Sequence, residues 1–431
     1  MAIALAKGIS PARLAAFRIL EQVESGAFSS VLLAAEEPRL QPVDRALCHE
    51  LVLGVLRWQL LLDKISEHFS KKRIERLDPP VRIALRIGLY QLRFLSRIPA
   101  SAAVNESVSL VRKARLSSAA AFVNALLRRA VREPKYEPAA DISDPIEKIA
   151  VRTSHPAWLI QRWASWLGID QAAAFAHANN LVPPPTFRVV AKRANQSEIL
   201  SKLTAAGAVV ESSKVVGGAW RVSGATSLLR ELSAAGEIYL QDEASQLVAQ
   251  FVEAKGGERV LDLCAAPGGK TTMIADRSGD RAMVVAADRS ATRMETVVET
   301  TRLHQLEGIR PVLLDGIARL PFWPETFDKV LVDAPCSGTG TLRRNPEIRW
   351  RLAPDDVVVL AEQQKRILGS ALEMVKPGGR LIYSTCSVER EENEAVIEGV
   401  PDRFRLVKTV RTWPHREGSD GFFLAVFERK V

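Results

Sequence analysis

The stretch LCAAPGGKTT, residues 263–272, decides the fold of the domain around it. Its GKTT end suggests the phosphate-binding loop of nucleoside triphosphatases, in which a glycine five residues before the Gly-Lys pair lets backbone N–H groups curl round a phosphate. Cys264 occupies that position, and Pro267 removes one N–H donor. We therefore predict that this glycine-rich loop does not bind a nucleoside triphosphate.

The sequence around this loop alternates between strand and helix patterns. Apolar strand candidates are RVLDLCA (259–265), MVVAADR (283–289), RPVLLD (310–315), KVLVDAP (329–335) and RLIYSTC (380–386). Such strands with helices between them predict a parallel sheet covered on both faces. Residues 403–431 hold two apolar runs with no helix between them, so an antiparallel pair should close the sheet. We predict a Rossmann-like α/β domain over 236–431, with a mostly parallel seven-stranded sheet.

The chain before this domain divides into three parts. Apolar residues recur three and four apart in the first part, as in ARLAAFRILEQV and VRIALRIGLYQLRFL, which predicts an all-helical domain over 1–140. Proline and tryptophan punctuate 141–185, which predicts a linker with one or two short helices. Residues 186–235 alternate short strands and helices, typical of a small α+β subdomain that in a nucleic-acid enzyme would be a second RNA-contacting surface.

Composition and charge limit the class of protein. With 431 residues, 47% of them apolar, the chain can bury substantial cores. It shows neither a signal-peptide pattern nor 18 uninterrupted apolar residues, so we expect a cytoplasmic protein, and a monomer because no oligomerisation signal stands out. The net charge is +9, and residues 1–135 hold 22 Lys and Arg against 12 Asp and Glu. That concentration is typical of a polyanion-binding module, with an ordinary basic surface as the alternative.

Carboxylates end three of the predicted strands. Asp288 ends the second strand, Asp315 the third and Asp333 the fourth. In open α/β sheets ligands bind beyond the carboxyl ends of the strands, and an acid about 20 residues after a glycine-rich turn grips ribose hydroxyls. A dinucleotide site would need G-x-G-x-x-G, whereas the loop offers only Gly268-Gly269, so S-adenosylmethionine fits best. Each carboxylate, taken singly, has the alternative role of a helix N-cap.

The four cysteines are Cys48, Cys264, Cys336 and Cys386, and no two form a C-x-x-C pair. This spacing argues against a zinc site and against a disulfide framework. Cys48 lies within a helical pattern and Cys264 begins the loop, so packing is the predicted role of both. Cys336 and Cys386 instead follow two strands, close to the predicted methyl donor, and they form the informative pair.

Methylation at carbon 5 of a pyrimidine explains a need for thiols. That carbon becomes nucleophilic only after a thiolate adds at carbon 6, and a base must later remove the carbon 5 proton so that the cysteine can leave. Asp333 can reach the N3/N4 edge of a cytosine, and Lys270 can lower a thiol pKa or orient the base. Spacing alone leaves open whether Cys336 or Cys386 is the nucleophile.

Several motifs together resemble the Nop/Sun family of RNA cytosine-5 methyltransferases. They are QDEASQL, DLCAAPGGKTT, VDAPCSGTGTLRRNPEIRW, KPGGRLIYSTCSVEREENE and WPHREGSDGFFLAVFER. The first third is similar to NusB-like RNA-binding bundles, most closely over PPVRIALRIGLYQLRFLSRIPASAAVNESVSLVRKA and FVNALLRRA. The resemblance spans almost the whole chain and is strongest to the bacterial Fmu/Sun (RsmB) branch, which methylates 16S ribosomal RNA.

The resemblance implies a role for each motif. The T-C-S cysteine, Cys386, is the implied nucleophile, and the P-C-S cysteine, Cys336, is implied to assist product release. With Asp333 and Lys270 they make up the expected catalytic set, and no metal is expected. The implied cofactor contacts are Cys264, Ala265, Ala266, Pro267, Gly268, Gly269, Lys270, Asp288, Asp315 and Asp333. The implied product is 5-methylcytosine in 16S ribosomal RNA, formed through a cysteine adduct at carbon 6.

The segment TLRRNPEIRW follows the P-C-S motif. Arg343, Arg344 and Arg349 are candidates to hold phosphates, and Trp350 to stack on a base, with a solvated basic turn as the alternative. A single-stranded or loop cytosine is the cheaper substrate, because a paired one must flip out. Rival interpretations are the same chemistry on transfer RNA or DNA, a non-catalytic RNA-binding assembly factor, and a nicotinamide-dependent reductase, which the missing G-x-G-x-x-G disfavours.

Overall fold

The computed structural model describes residues 8–431, so the first seven residues of the predicted helical domain lie outside the described part of the chain. The chain forms two compact units. The helical unit comprises the residues up to 181 together with 342–351, and the sheet unit comprises 182–341 and 352–431. Within the described residues no helix is long and apolar enough to cross a membrane, and no group of three or more His, Cys, Asp or Glu side chains is placed to hold a metal ion.

Amphipathic helices around an apolar core build the helical unit. They are α1 (Pro11–Glu24), α2 (Ser29–Glu36), α3 (Pro42–Arg57), α4 (Gln59–Ser70), α5 (Pro79–Phe94), α6 (Ala100–Lys113), α7 (Ala120–Arg132), α8 (Pro145–Thr153), α9 (Ala157–Leu167), α10 (Ile169–Ala178) and, from the 342–351 segment, α16 (Ile348–Arg351). Proline opens α1, α3 and α5, where the N–H that it lacks would have no helical acceptor. Leu51, Leu62, Leu85 and Leu110 are fully buried in the core. The predicted all-helical fold is confirmed.

Three helices, α8 to α10, occupy the stretch for which the sequence predicted a linker with one or two. Trp163 is fully buried, and its ring meets that of Phe175 edge-on with centroids 4.6 Å apart. The aromatic residues that resemble punctuation in the sequence therefore form the centre of a packed helical layer. The linker description of 141–185 is wrong, since the chain up to residue 181 belongs to the helical unit.

The sheet unit begins with a small α+β subdomain. Its elements are β1 (Thr186–Val189), α11 (Gln196–Ala205), β2 (Val209–Ser212), β3 (Ala219–Ser223), α12 (Thr226–Ala234) and β4 (Ile238–Leu240). The strands form an antiparallel sheet in the order β2-β3-β1-β4. The predicted subdomain is present, but β4 lies beyond the predicted boundary at residue 235. A three-residue strand has too short a pattern to be seen in the sequence, and its pairing with β1 is distant along the chain.

A seven-stranded sheet follows. Its elements are α13 (Glu243–Val252), β5 (Arg259–Asp262), α14 (Gly269–Arg277), β6 (Met283–Asp288), α15 (Ala291–Leu303), β7 (Ile309–Leu313), β8 (Phe327–Asp333), α17 (Pro354–Leu372), β9 (Val375–Thr385), α18 (Glu394–Ile397), β10 (Phe404–Thr412) and β11 (Phe422–Arg429). The strand order is β10-β11-β9-β8-β5-β6-β7, with β5 to β9 parallel and β11 antiparallel to β9 and β10. The predicted Rossmann-like fold with an antiparallel end is confirmed, and the carboxyl ends of β5 to β9 share one edge.

Candidate active site

The glycine-rich loop joins the end of β5 to the start of α14. Gly268 has a φ of +103°, a left-handed conformation that favours glycine, and its N–H donates to the Ala265 carbonyl (2.8 Å). The Thr271 hydroxyl donates to Asp262, the last residue of β5 (2.7 Å). Burial raises the pKa of Asp262 to about 7. The loop thus turns tightly and brings its backbone and the first turn of α14 to the carboxyl edge of the sheet.

Two of the strand-end carboxylates flank this loop with different exposure. Asp288, at the end of β6, is buried and accepts hydrogen bonds from the N–H groups of Ser290 (2.9 Å) and Ala266 (3.2 Å). Asp315 lies two residues beyond β7, is exposed, and accepts from the Ile317 N–H (3.0 Å). Ser290 is the N-cap of α15, so the N-cap alternative does not explain Asp288.

The two informative cysteines meet at the same edge. Cys336 and Cys386 follow the neighbouring strands β8 and β9, and their Sγ atoms lie 3.2 Å apart although 50 residues separate them. Asp333, the last residue of β8, accepts from the Lys270 ammonium (2.7 Å) and from the Ser384 hydroxyl (2.8 Å). We call Cys336, Cys386, Asp333 and Lys270 the sulfur centre. All four residues predicted to be catalytic are brought together there.

Charge interactions set the protonation of two groups in the sulfur centre. Burial opposes the charged form of Lys270, but Asp333 outweighs burial and raises the pKa of the ammonium, with a smaller contribution from Cys386. The hydrogen bond with Cys386, followed by burial, raises the pKa of Cys336 well above its ordinary value. Lys270 therefore remains a cation, and the Cys336 thiol keeps its proton.

The other two thiols stay protonated for a simpler reason. Burial raises the pKa of Cys48, in the core of the helical unit, to about 12. Burial also raises the pKa of Cys264, and the neighbouring carboxylates Asp262 and Asp333 add to that effect. Both positions are consistent with the packing role expected from the sequence.

Three polar residues beside the sulfur centre were not among the predicted site residues. Glu392, Asn393 and Gln364 are all fully buried, and they bond to the residues that flank Cys336 and Cys386. For Glu392 and Asn393 the available signal was the polar run EREEN, which begins one residue after the T-C-S motif. Polar side chains so close to a buried strand end need hydrogen-bond partners there.

Arg349, predicted to contact RNA, lies in a different environment. In the helical unit it is fully buried, and Nη1 donates to the Ser154 carbonyl and the Asn180 side-chain oxygen (3.0 Å each), while Nη2 donates to the Asn179 carbonyl (3.3 Å). We call Arg349 with these three acceptors the arginine centre. Burial, then repulsion by Arg57, lowers the pKa of Arg349 well below its ordinary value. The predicted phosphate contact is therefore corrected, because Arg349 has no exposed surface.

The rest of this segment is also anchored in the helical unit. The indole N–H of half-buried Trp350 donates to the Leu56 carbonyl (2.6 Å), and Arg343 is buried with its carbonyl accepting from Arg57 (3.0 Å). Arg344 is half-buried. The RNA contacts of Arg343, Arg344 and Trp350 stay predictions. Arg344 is the better candidate of the two arginines, because it is less buried than Arg343.

Comparison with known proteins identifies matches along the whole chain. The family model for 16S rRNA methyltransferase RsmB/F matches residues 249–428, the NusB family model 10–132, and the ferredoxin-like domain of RsmF/B-like methyltransferases 155–228. The probable ribosomal RNA small subunit methyltransferase B of Bacillus subtilis is 34% identical over 96% of this chain and 97% of its own length. The corresponding Vibrio cholerae protein is 35% identical over 96% of each chain.

Solved structures agree with these matches. The crystal structure of PH0851 superposes with a TM-score of 0.84 at 28% identity, covering 98% of this chain and 99% of the other. A methyltransferase homologue from Pyrococcus horikoshii gives a TM-score of 0.60 at 25% identity, covering 67% of this chain and all of the other. Fold and site together define an S-adenosylmethionine-dependent methyltransferase. The chain belongs to the RsmB family of ribosomal RNA small subunit methyltransferases.

Proposed function

We propose that this chain methylates carbon 5 of a cytosine in 16S ribosomal RNA through a covalent bond between Cys386 and carbon 6. The 3.2 Å separation of the Cys336 and Cys386 sulfur atoms, at the ends of neighbouring strands, carries the proposal. Two thiols suit a reaction in which one adds to the ring and the other assists elimination. The names of the relatives, which refer to the small-subunit RNA, support the substrate class.

Cys386 is the better nucleophile of the pair. The Cys336 and Cys386 sulfur atoms are within hydrogen-bond distance of each other, and this hydrogen bond, followed by burial, raises the pKa of Cys336. Cys336 is therefore the thiol that keeps its proton, and the Cys386 sulfur is the one that adds to the ring. Addition of that sulfur to carbon 6 makes carbon 5 electron-rich, and Asp333, fixed by Lys270 and Ser384, meets the N3/N4 edge of the ring.

Cys336 assists release of the product in this proposal. The hydrogen bond with Cys386, burial and the charge interaction with Cys386 raise the pKa of Cys336, so it holds a proton before addition. After the methyl group has been transferred, Cys336 releases its thiol proton to water and, as a thiolate, accepts the carbon 5 proton. The electron pair of the carbon 5–hydrogen bond restores the ring double bond, and the bond between carbon 6 and the Cys386 sulfur breaks.

The residues at the edge of the sheet fit S-adenosylmethionine, which supplies an electrophilic methyl group. Asp288 and Asp315 offer acceptor oxygens for ribose hydroxyls and amino groups, and the loop 264–270 offers backbone groups. The lysine of that loop pairs with Asp333 at 2.7 Å instead of facing a phosphate. This set of donors and acceptors suits a nucleoside with no phosphate.

RNA also needs a surface for its backbone, which we place on α6 and α7 of the helical unit. Exposed Arg112 and Lys113 end α6, and exposed Arg128 and Arg132 lie on α7. Arg128 and Arg132 also line a groove of about 630 Å³. A groove edged by unburied cations is a suitable site for a single-stranded phosphate backbone.

The first experiment measures methyl transfer from labelled S-adenosylmethionine to 16S RNA freed of its native modifications, with transfer RNA in parallel, and maps any 5-methylcytosine. One labelled cytosine in 16S RNA is expected. Label confined to transfer RNA would retain the chemistry and overturn the substrate. Absence of label in both RNAs and in immature small subunits would overturn the proposed function.

A further inference from the structure

Glu392 lies in the short turn that follows the T-C-S motif and has no exposed surface. Its carboxylate accepts hydrogen bonds from the Ser337 N–H (2.8 Å), the Gln364 amide (2.9 Å), and the hydroxyls of Ser337 and Ser387. All these donors are neutral. Enclosing a carboxylate without a cation is costly unless several good hydrogen bonds replace its water.

The donors of Glu392 belong to both sulfur-bearing loops. Ser337 directly follows Cys336, and Ser387 directly follows Cys386. Gln364, on α17, also donates to the carbonyl of the residue before Cys336, at 2.9 Å. One carboxylate therefore ties together two loops that are 50 residues apart in the sequence and that hold sulfur atoms 3.2 Å apart.

Neighbouring groups hold Glu392 itself in place. The Tyr383 hydroxyl donates to the Glu392 carbonyl (2.7 Å) and to the Gln364 side-chain oxygen (3.2 Å). Asn393 accepts from the Thr385 hydroxyl (2.6 Å) and donates to the Ser387 carbonyl (3.0 Å). The turn is thus bound to the residues on both sides of Cys386, Thr385 at the end of β9 and Ser387 just beyond it.

We propose that Glu392 is a positioning residue for the two-thiol chemistry, holding the loops of Cys336 and Cys386 at the separation that addition and release require. The inference rests on the proposed function for its chemistry, but the spacing that it concerns is a property of the protein alone. Reactive groups must be held to within a fraction of an ångström, and a displacement of about 1 Å costs about 100-fold in rate.

Glu392→Gln tests the proposal with little change of volume. The amide replaces one acceptor oxygen by a donor, so the hydroxyls of Ser337 and Ser387 lose their charged acceptor. We expect kcat to fall about 100-fold, with the KM for RNA and the Kd for S-adenosylmethionine within about twofold of wild type. Glu398→Gln is the matched control, because Glu398 is exposed and lies six residues further along the chain, directly after α18.

The second readout requires neither RNA nor methyl transfer. Diamide takes up the two thiol hydrogens and leaves a Cys336–Cys386 disulfide, whose rate of formation reports on the spacing of the sulfur atoms and is followed by peptide mass spectrometry. Wild type and Glu398→Gln should form it at equal rates, and Glu392→Gln at least about tenfold more slowly. Loss of thermal stability alone, with the disulfide rate and kcat of the folded variant unchanged, would make Glu392 merely structural and overturn the proposal.

Ser337→Ala serves if Glu392→Gln does not fold. It removes one hydroxyl donor and keeps the Ser337 N–H, so about a fivefold slower disulfide formation is expected from the loss of one hydrogen bond. An unchanged rate would overturn the proposal. A slower disulfide in a protein that methylates no cytosine would support the positioning role and refute only the proposed function.

Discussion

The sulfur centre and the arginine centre are both clusters of enclosed polar groups, yet they differ in what they leave available. In the sulfur centre the two thiols are only half-buried at the edge of the sheet, beside a paired cation and carboxylate. In the arginine centre Arg349 is fully buried and donates to neutral oxygens of the same unit. Polar burial alone therefore does not mark a reactive site, which also needs access and groups that exchange protons.

Closeness in the sequence to a reactive cysteine does not by itself place a residue at the reactive site. The segment TLRRNPEIRW begins a few residues after Cys336 and carries the residue types that bind RNA. One of its three arginines, Arg349, nevertheless lies in the helical unit with main-chain and amide oxygens as its partners. We expect the two centres to respond oppositely to mutation: activity should be lost in one, and stability in the other.

The largest expected effect is on the sulfur centre. Cys386→Ala should lower methyl transfer by at least about 10⁴-fold, as for loss of a nucleophile, while S-adenosylmethionine binding and the melting temperature stay near wild type. Cys336→Ala should instead trap RNA covalently, visible as a band shift in denaturing gels. Cys48→Ala, at a thiol of the helical core, is the control that should form no adduct. An adduct with Cys386→Ala would exchange the two cysteine assignments.

The arginine centre should give the reverse pattern. Arg349→Ala leaves the oxygens of Ser154, Asn179 and Asn180 without their donor, and should destabilise the helical unit by on the order of 3 kcal/mol. This loss is measured by chemical denaturation, with hydrogen exchange used to monitor the unfolding of the helical unit. Exposed Arg18, on α1, is the control, and its replacement by Ala should change stability by less than about 0.5 kcal/mol. A stable Arg349→Ala protein with weakened RNA binding would restore the phosphate contact.

Exposed arginines of the same helical unit should behave unlike Arg349. Replacing both Arg128 and Arg132 by Ala should leave stability unchanged and weaken RNA binding. The logarithm of the RNA association constant decreases linearly with the logarithm of the salt concentration, and this slope should become less steep by about 0.7 for each lost phosphate contact. Replacing Lys365 and Arg366, an exposed basic pair on α17, is the control. Equal slopes for wild type and the α7 double variant would remove this groove from the RNA site.

The last prediction concerns the pH dependence of stability. The pKa of Asp262 in the folded protein is about 7, above its ordinary 3.8. The contribution of this group to the free energy of unfolding is therefore complete below pH 4 and is lost as pH rises through 7. Asp262→Asn should therefore gain melting temperature relative to wild type between pH 5 and pH 8. Asp328 is the opposite control: its pKa is lowered because, against partial burial, the Arg259 N–H and Lys376 favour its charged form. Asp328→Asn should differ from wild type in melting temperature only at acid pH. If Asp262→Asn and wild type show the same dependence of melting temperature on pH, Asp262 is not the source of that dependence.

The sequence by itself determined the fold class, the glycine-rich loop and the residues of the sulfur centre. Strand and helix periods are local patterns, and in a parallel sheet all strand ends meet at one edge, so Asp333, Cys336 and Cys386 could be placed there before any coordinates. Resemblance to a known family then separated the roles of the two thiols, which spacing left open.

Only the tertiary structure decided which polar groups pair across long separations. The clamp of Glu392 on both cysteine loops, the enclosure of Arg349, the packing of Trp163 against Phe175 and the short strand β4 all depend on partners distant in the sequence. A side chain's type fixes what it can donate or accept, but its surroundings fix whether water, RNA or the protein supplies the partner. For this reason Arg349 bonds to the protein itself, and Glu392 links the loops of the two thiols.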